Sequence, residues 1–136
     1  MKLWMFVVAA GLAGTGAGAQ PQAPTIAGPF MLFFDWDKGD IRRDDEAVLD
    51  QVAEAWRARP GAQLRLTGHT DRSGSTSFNR RAGMERTNIV RAALEKRGIP
   101  RNAMSLASFG EERPLVRTED GVREVQNRRV EIAFEE

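Results

Sequence analysis

Hydrophobic residues recur along this chain with two different periods, and their order predicts four strands and two helices. Residues 30–34 form a continuous apolar run between Pro29 and Asp35, which is typical of a buried strand. Residues 63–67, 104–109 and 128–134 alternate between apolar and polar side chains, so three further strands are expected. On the last of these, one face carries Val130, Ile132 and Phe134 and the other carries Arg129, Glu131 and Glu135.

The first helix is predicted between the first two strands. Asp44 or Asp45 is expected to cap its amino end, where acidic residues also suit the helix dipole. Pro60 and Gly61 should end it. Its apolar stripe has helical spacing and consists of Val48, Leu49, Val52, Ala55 and Trp56.

The second helix should be longer, with Ser75 or Ser77 as its cap. Its carboxyl end is predicted where two basic residues precede Gly98. The expected apolar stripe is Phe78, Ala82, Ile89, Val90, Ala93 and Leu94. The complete order, β-α-β-α-β-β, predicts an α+β fold: a two-layer sandwich with both helices packed on one face of a small mixed sheet.

Residues 1–19 have the features of a signal peptide. Lys2 gives a positive start, an apolar stretch follows, and residues 17–19 end in the small-x-small pattern of a cleavage site. Residues 20–28 are rich in Pro, Gly and small side chains and predict a flexible lead-in. Residues 29–136 are then expected to form a single domain, exported from the cytoplasm.

The charges of the chain are balanced, with 20 basic and 19 acidic residues. Such a balance gives no electrostatic argument for binding nucleic acid. The chain has no cysteine, so neither a disulfide nor a lipid-modified cysteine can form.

Two charged residues stand out because regular structure should hold them in place. Asp71 follows the second strand at the start of a Gly/Ser turn, and Arg86 falls on the apolar stripe of the second helix. A buried guanidinium needs an anion, which an internal carboxylate or a ligand would supply, unless the arginine extends its head to solvent. Asp71 is also an ordinary residue type for a turn, so the pattern alone leaves these alternatives open.

The motifs around these residues resemble the OmpA-like C-terminal domain, a family that binds peptidoglycan in the Gram-negative envelope. The resemblance covers residues 30–134. It rests on Gly68-His69-Thr70-Asp71, Gly74, Asn79, Arg86, Gly110-Glu111 before Pro114, and Asn127-Arg128-Arg129-Val130.

The resemblance implies a binding function without catalysis, cofactor or metal. By analogy, Asp71 binds the ammonium group of meso-diaminopimelate in the peptide stem, and Arg86 binds the neighbouring carboxylate. Asp37 and Asn79 align with further residues of the family's pocket. Arg128, on the core-facing side of the last strand, would either reach the pocket or brace a carboxylate, and bracing is the preferred expectation. The expected location is the periplasm, in association with the outer membrane or cell wall, with envelope proteins as further partners.

Several departures from the family pattern accompany this resemblance, among them Ala82-Gly83 where Leu-Ser is usual and Thr87 where alanine is usual. Phe78 stands where tyrosine is usual, Gly83 lies in a helix interior and is expected to weaken packing, and residues 118–126 form a longer segment than is common.

Two other functions compete with this interpretation. Asp35 and Asp37 follow a strand, as the nucleophile motif of haloacid-dehalogenase phosphatases does, so a phosphatase-like enzyme would use Asp35. Alternatively, the domain is a protein-interaction module with a vestigial pocket. An exposed apolar patch around Trp36 and Trp56 would favour this alternative.

Overall fold

The computed structural model describes residues 29–135, and within them the strands and helices follow in the predicted order. The predicted signal peptide and lead-in lie outside the described residues. The elements are β1 (Phe30–Phe33), α1 (Glu46–Arg57), β2 (Gln63–His69), α2 (Thr76–Glu95), β3 (Met104–Gly110) and β4 (Arg129–Glu135).

The four strands form one sheet in the order β1-β4-β2-β3. β4 runs antiparallel to both of its neighbours, and β2 runs parallel to β3. Leu66 is paired with Ile132 on one side and Leu106 on the other, so apolar residues of three strands face the same layer. The sheet is mixed, and the predicted α+β sandwich is confirmed.

The core lies between the sheet and the two helices. α1 contributes Leu49 and Val52, and α2 contributes Val90 and Leu94, all fully buried. The predicted inward face of the last strand is confirmed, since Val130 and Ile132 are fully buried and Phe134 packs against the core. Among the described residues, no helix is long and apolar enough to cross a bilayer.

The amino end of α1 differs from the predicted cap. A short 3-10 turn, Arg43–Asp45, precedes the helix, and no side chain accepts a capping hydrogen bond there. The Asp45 carboxylate instead accepts the backbone N–H of Phe33 at 2.9 Å. A local capping role was therefore the wrong prediction, because this carboxylate ties the helix to β1.

The buried face of α2 is rotated relative to the predicted stripe in its first half. Phe78 is 56% exposed, so its assignment to the core was wrong. Ser75 caps the helix as predicted, accepting the N–H of Phe78 at 3.2 Å. The residues of α2 that are buried are Asn79, Gly83, Arg86, Thr87, Val90 and Leu94. The first half of this helix thus buries polar groups rather than apolar ones.

Gly83 does not weaken the packing, which corrects the expectation from helix propensity. A Cβ atom on Gly68 would lie 2.0 Å from the Gly83 carbonyl oxygen, and one on Gly83 would lie 2.3 Å from Ser108 Oγ. The two glycines let α2 approach β2 far more closely than side chains would allow. This contact sets the position of the helix that carries Arg86.

Candidate functional site

The carboxyl ends of β1 and β2 and the amino end of β4 meet at one end of the sheet, because β4 is antiparallel to both neighbours. A cavity of about 540 Å³ opens there, and α2 forms one of its walls. Its lining includes all of the predicted site residues: Asp37, Asp71, Asn79 and Arg86. The structure therefore brings together side chains that are widely separated in the sequence.

The Asp71 carboxylate, only 2% exposed, is fully hydrogen-bonded within the protein. Its Oδ1 accepts the Ser73 hydroxyl at 2.6 Å and the Ser73 N–H at 3.1 Å. Its Oδ2 accepts Arg128 at 2.6 Å and the Glu124 N–H at 3.1 Å. Burial by itself raises the pKa of Asp71, but the hydrogen bonds from Ser73, Arg128 and Glu124 outweigh burial and lower this pKa below its usual value.

Arg128 is the internal partner of Asp71. Its Nη1 donates to Asp71, and its Nε donates to the Phe34 carbonyl oxygen at 2.9 Å. The guanidinium therefore joins the end of β1 to the turn after β2. The predicted bracing role of Arg128 is confirmed.

Arg86 is buried in the cavity wall without a carboxylate partner. Among the described residues, ion pairs engage Arg72, Arg80, Arg97, Arg128 and Arg129, but not Arg86. Its Nη1 donates to the His69 carbonyl oxygen at 3.3 Å, and its guanidinium lies 5.3 Å from the centre of the Phe34 ring. Burial lowers the pKa of Arg86, and the nearby Arg128 charge lowers it further. Arginine nevertheless stays protonated in proteins, so this charge is available to an anion.

Asn79 braces the turn that carries Asp71. Its amide nitrogen donates to the Asp71 carbonyl oxygen at 3.2 Å and to Glu111 at 2.9 Å. It also reaches the Gly74 carbonyl oxygen at 3.4 Å. Both amide hydrogens are thus engaged within the protein, and the residue holds the site in shape.

Asp37 lies on the exposed side of the cavity with a φ of 56°. This left-handed conformation is uncommon outside glycine, although aspartate tolerates it better than most residues. Asp37 is the third residue of a turn that the Lys38 N–H closes on the Asp35 carbonyl oxygen at 3.2 Å, a position where a positive φ is common.

The outer part of the cavity contains residues that the sequence did not single out as ligands. Trp36 and Phe78 are exposed aromatic side chains of the lining, and Arg123 stacks on the Trp36 ring. Arg123 belongs to the long segment 118–126, whose length was the one signal available in the sequence. Glu85, next to Arg86 on α2, also lines the cavity.

The residues behind the competing interpretations do not form sites of their own. Asp35 is exposed and is not among the cavity-lining residues. Trp56 is partly buried against the core, and its indole N–H donates to the Ala62 carbonyl oxygen at 2.9 Å. The exposed joint patch of Trp36 and Trp56 that would have favoured a protein-interaction module is therefore not formed. Within residues 29–135, no group of three or more acidic or histidine side chains is placed to hold a metal ion.

Comparison with protein-family models gives a match over most of the described domain. The family model described as OmpA matches residues 33–128, which include every predicted site residue. The chain belongs to the OmpA family.

Proteins similar to this chain differ in length. A peptidoglycan-associated lipoprotein of Rhizobium meliloti is 38% identical over 126 residues, which span 89% of this chain and 70% of that protein. An outer membrane protein of Gluconacetobacter diazotrophicus is 34% identical over 116 residues, or 81% of this chain. The chain corresponds to only 31% of the length of that second protein.

Solved structures show the same OmpA-like architecture. The crystal structure of the peptidoglycan-associated lipoprotein from Burkholderia pseudomallei superposes with a TM-score of 0.71 at 28% identity, covering 77% of this chain and 89% of that one. The C-terminal domain of Helicobacter pylori MotB has a TM-score of 0.68 at 23% identity, covering 79% and 84% respectively, and this likeness shows the fold alone.

Proposed function

We propose that this OmpA-family domain binds peptidoglycan non-covalently in the periplasm, through the free end of meso-diaminopimelate in the peptide stem. Several relatives that are 31–38% identical are named peptidoglycan-associated lipoproteins, and a solved protein of that name has the same fold. The role is one of attachment to the cell wall and involves no catalysis.

The observation that carries the proposal is the buried guanidinium of Arg86, which lines the cavity and has no carboxylate partner among the described residues. A buried cation without a paired anion costs free energy, and binding of an anion would offset that cost. A carboxylate suits the planar fork of arginine, because two parallel N–H donors can meet its two oxygens. Arg86 is therefore assigned to the diaminopimelate carboxylate.

The ammonium group of the same ligand is assigned to Asp71, with Asp37 beside it at the outer side. Both oxygens of Asp71 already accept hydrogen bonds, so an ammonium must replace one donor. The Ser73 hydroxyl is the donor that can leave most easily, since its hydrogen turns about the Cβ–Oγ bond while the oxygen still accepts the Trp36 indole N–H and the Ser73 backbone N–H stays in place. The exchange conserves the number of hydrogen bonds on Asp71, and Asn79 keeps the turn fixed meanwhile.

A second unsatisfied group supports a polar ligand. Thr70 lines the cavity, and its buried hydroxyl oxygen has no hydrogen-bond partner among the described residues. Buried hydroxyl groups in folded proteins are nearly always paired.

Co-sedimentation with purified peptidoglycan tests this function. The domain comprising residues 20–136 should pellet with diaminopimelate-type sacculi, and Arg86→Ala should stay in the supernatant. Arg81→Ala is the matched control, because Arg81 is an exposed residue of the same helix that does not line the cavity. Equal pelleting of Arg86→Ala and wild type would contradict the assignment.

A further inference from the structure

A second guanidinium, that of Arg123, lies in the outer wall of the cavity. Its central carbon is 3.4 Å from the centre of the Trp36 ring, and both residues line the cavity. Stacking of this kind engages the flat face of a guanidinium with the aromatic ring. The N–H groups point outward in the plane of the guanidinium and stay free for an anion.

The stacked pair is held on both sides by hydrogen bonds. The backbone N–H of Gly121 donates to the Arg72 carbonyl oxygen at 2.8 Å, and that of Glu124 donates to Asp71 at 3.1 Å. These bonds fix the segment on each side of Arg123. Trp36 donates its indole N–H to Ser73 Oγ at 3.3 Å, so the ring is attached to the turn that carries Asp71. A preformed cation of this kind loses little conformational entropy when a ligand arrives.

Arg123 resembles Arg86 in lacking a carboxylate partner. The ion pairs among the described residues do not include it. The cavity therefore presents two guanidinium groups that form no salt bridge among the described residues, whereas the third, Arg128, is paired with Asp71. Its volume of about 540 Å³ lies within the range of roughly 300–1,000 Å³ that is usual for small-molecule sites.

We propose that Arg123, positioned by Trp36, binds a second carboxylate of the ligand, located on the residue that adjoins the diaminopimelate. This assignment rests on the proposed function and makes it more specific. The site then distinguishes a stem with a free acid at that position from one with the corresponding amide, since an amide offers a neutral and weaker acceptor.

Two dipeptides test the proposal by calorimetric titration: γ-D-glutamyl-meso-diaminopimelate with a free glutamyl α-carboxylate, and the same compound with that group amidated. The wild type should bind the acid roughly tenfold or more tightly than the amide, because hydrogen bonds between charged groups are about twice as strong as neutral ones. Arg123→Ala should bind both dipeptides equally, with an affinity no higher than that of the wild type for the amide. Both residues of the stacked pair are exposed, so this variant is expected to fold normally.

Arg117→Ala is the matched control, because this exposed arginine precedes the same segment and lies outside the cavity lining. It should keep the full preference for the acid. A preference that survives in Arg123→Ala, or equal binding of both dipeptides by the wild type, overturns the second subsite and leaves the proposed function standing. Failure of the wild type to bind either dipeptide overturns both proposals.

Discussion

Replacing Arg128 by methionine should destabilise the domain, because the substitution leaves the buried Asp71 carboxylate without its charged partner. Asp71 and Arg128 are 2% and 8% exposed and are joined by a 2.6 Å hydrogen bond. Breaking a buried ion pair by removing one partner typically costs about 3–5 kcal/mol. We expect about 3 kcal/mol here, at the lower end of that range, since Asp71 keeps its bonds to Ser73 and Glu124.

Equilibrium unfolding in urea measures this effect. With a slope of about 1–3 kcal/mol per molar urea, the midpoint of Arg128→Met should fall by roughly 1–3 M. The destabilisation caused by Arg128→Met should become smaller at low pH, because a protonated Asp71 no longer needs a charged partner. In the wild type, the pKa of Asp71 is held below its unfolded value, so the stability it contributes is present above about pH 4 and is lost as the pH falls through the lowered pKa.

A double-mutant cycle measures the coupling free energy between Asp71 and Arg128. Asp71→Asn combined with Arg128→Met should cost less than the sum of the two single substitutions, by about 1–3 kcal/mol. Arg81→Met removes an exposed arginine and should change the free energy of unfolding by no more than about 0.5 kcal/mol. A loss below about 1 kcal/mol for Arg128→Met, or strict additivity in the cycle, would refute the reasoning.

Three further predictions concern the scaffold. His69 is the single histidine, and burial, with Arg129 nearby, lowers its pKa from 6.5 to about 4. The stability that depends on neutral His69 is therefore present above pH 6.5 and is lost as the pH falls toward 4. The free energy of unfolding of the wild type should fall by about 2 kcal/mol between about pH 7.5 and 5. A His69→Phe variant whose free energy of unfolding depends on pH in the same way would disprove this. Gly68→Ala should lower the free energy of unfolding by about 2–3 kcal/mol, because its Cβ would lie 2.0 Å from the Gly83 carbonyl oxygen; unchanged thermal stability would show that the close approach is not required. Ser75→Ala should cost about 1 kcal/mol through the lost helix cap, with recovery in Ser75→Asp, and a neutral effect of the alanine would count against the cap.

The fold was largely predictable, because local patterns determine each element and the order of elements leaves few arrangements. The alternation of Val130, Ile132 and Phe134 correctly gave the inward face of β4. The start of α2 was harder, since Phe78 fits an apolar stripe in the sequence but lies over the cavity, 56% exposed. Its burial depends on what the rest of the chain places opposite it.

The site was predictable where regular structure fixes a residue and less so where loops do. The sequence predicted Arg86 on the inward side of a helix and Asp71 after a strand. The number of hydrogen bonds that Asp71 accepts was not predictable, because the Glu124 backbone N–H donates to it from a loop that is far away in the sequence. Gly83 was misjudged for a similar reason: helix propensity records the cost of glycine, whereas the close contact with Gly68 depends on tertiary structure.

The most direct test of the proposed function compares two stem peptides that differ only at the third residue, meso-diaminopimelate in one and lysine in the other. Lysine keeps the side-chain ammonium and lacks the carboxylate assigned to Arg86. Calorimetric titration should show binding of the diaminopimelate peptide at least about tenfold tighter, and Arg86→Ala should abolish that preference while Arg81→Ala preserves it. Equal binding of the two peptides by the wild type, or a preference that persists in Arg86→Ala, would contradict the account.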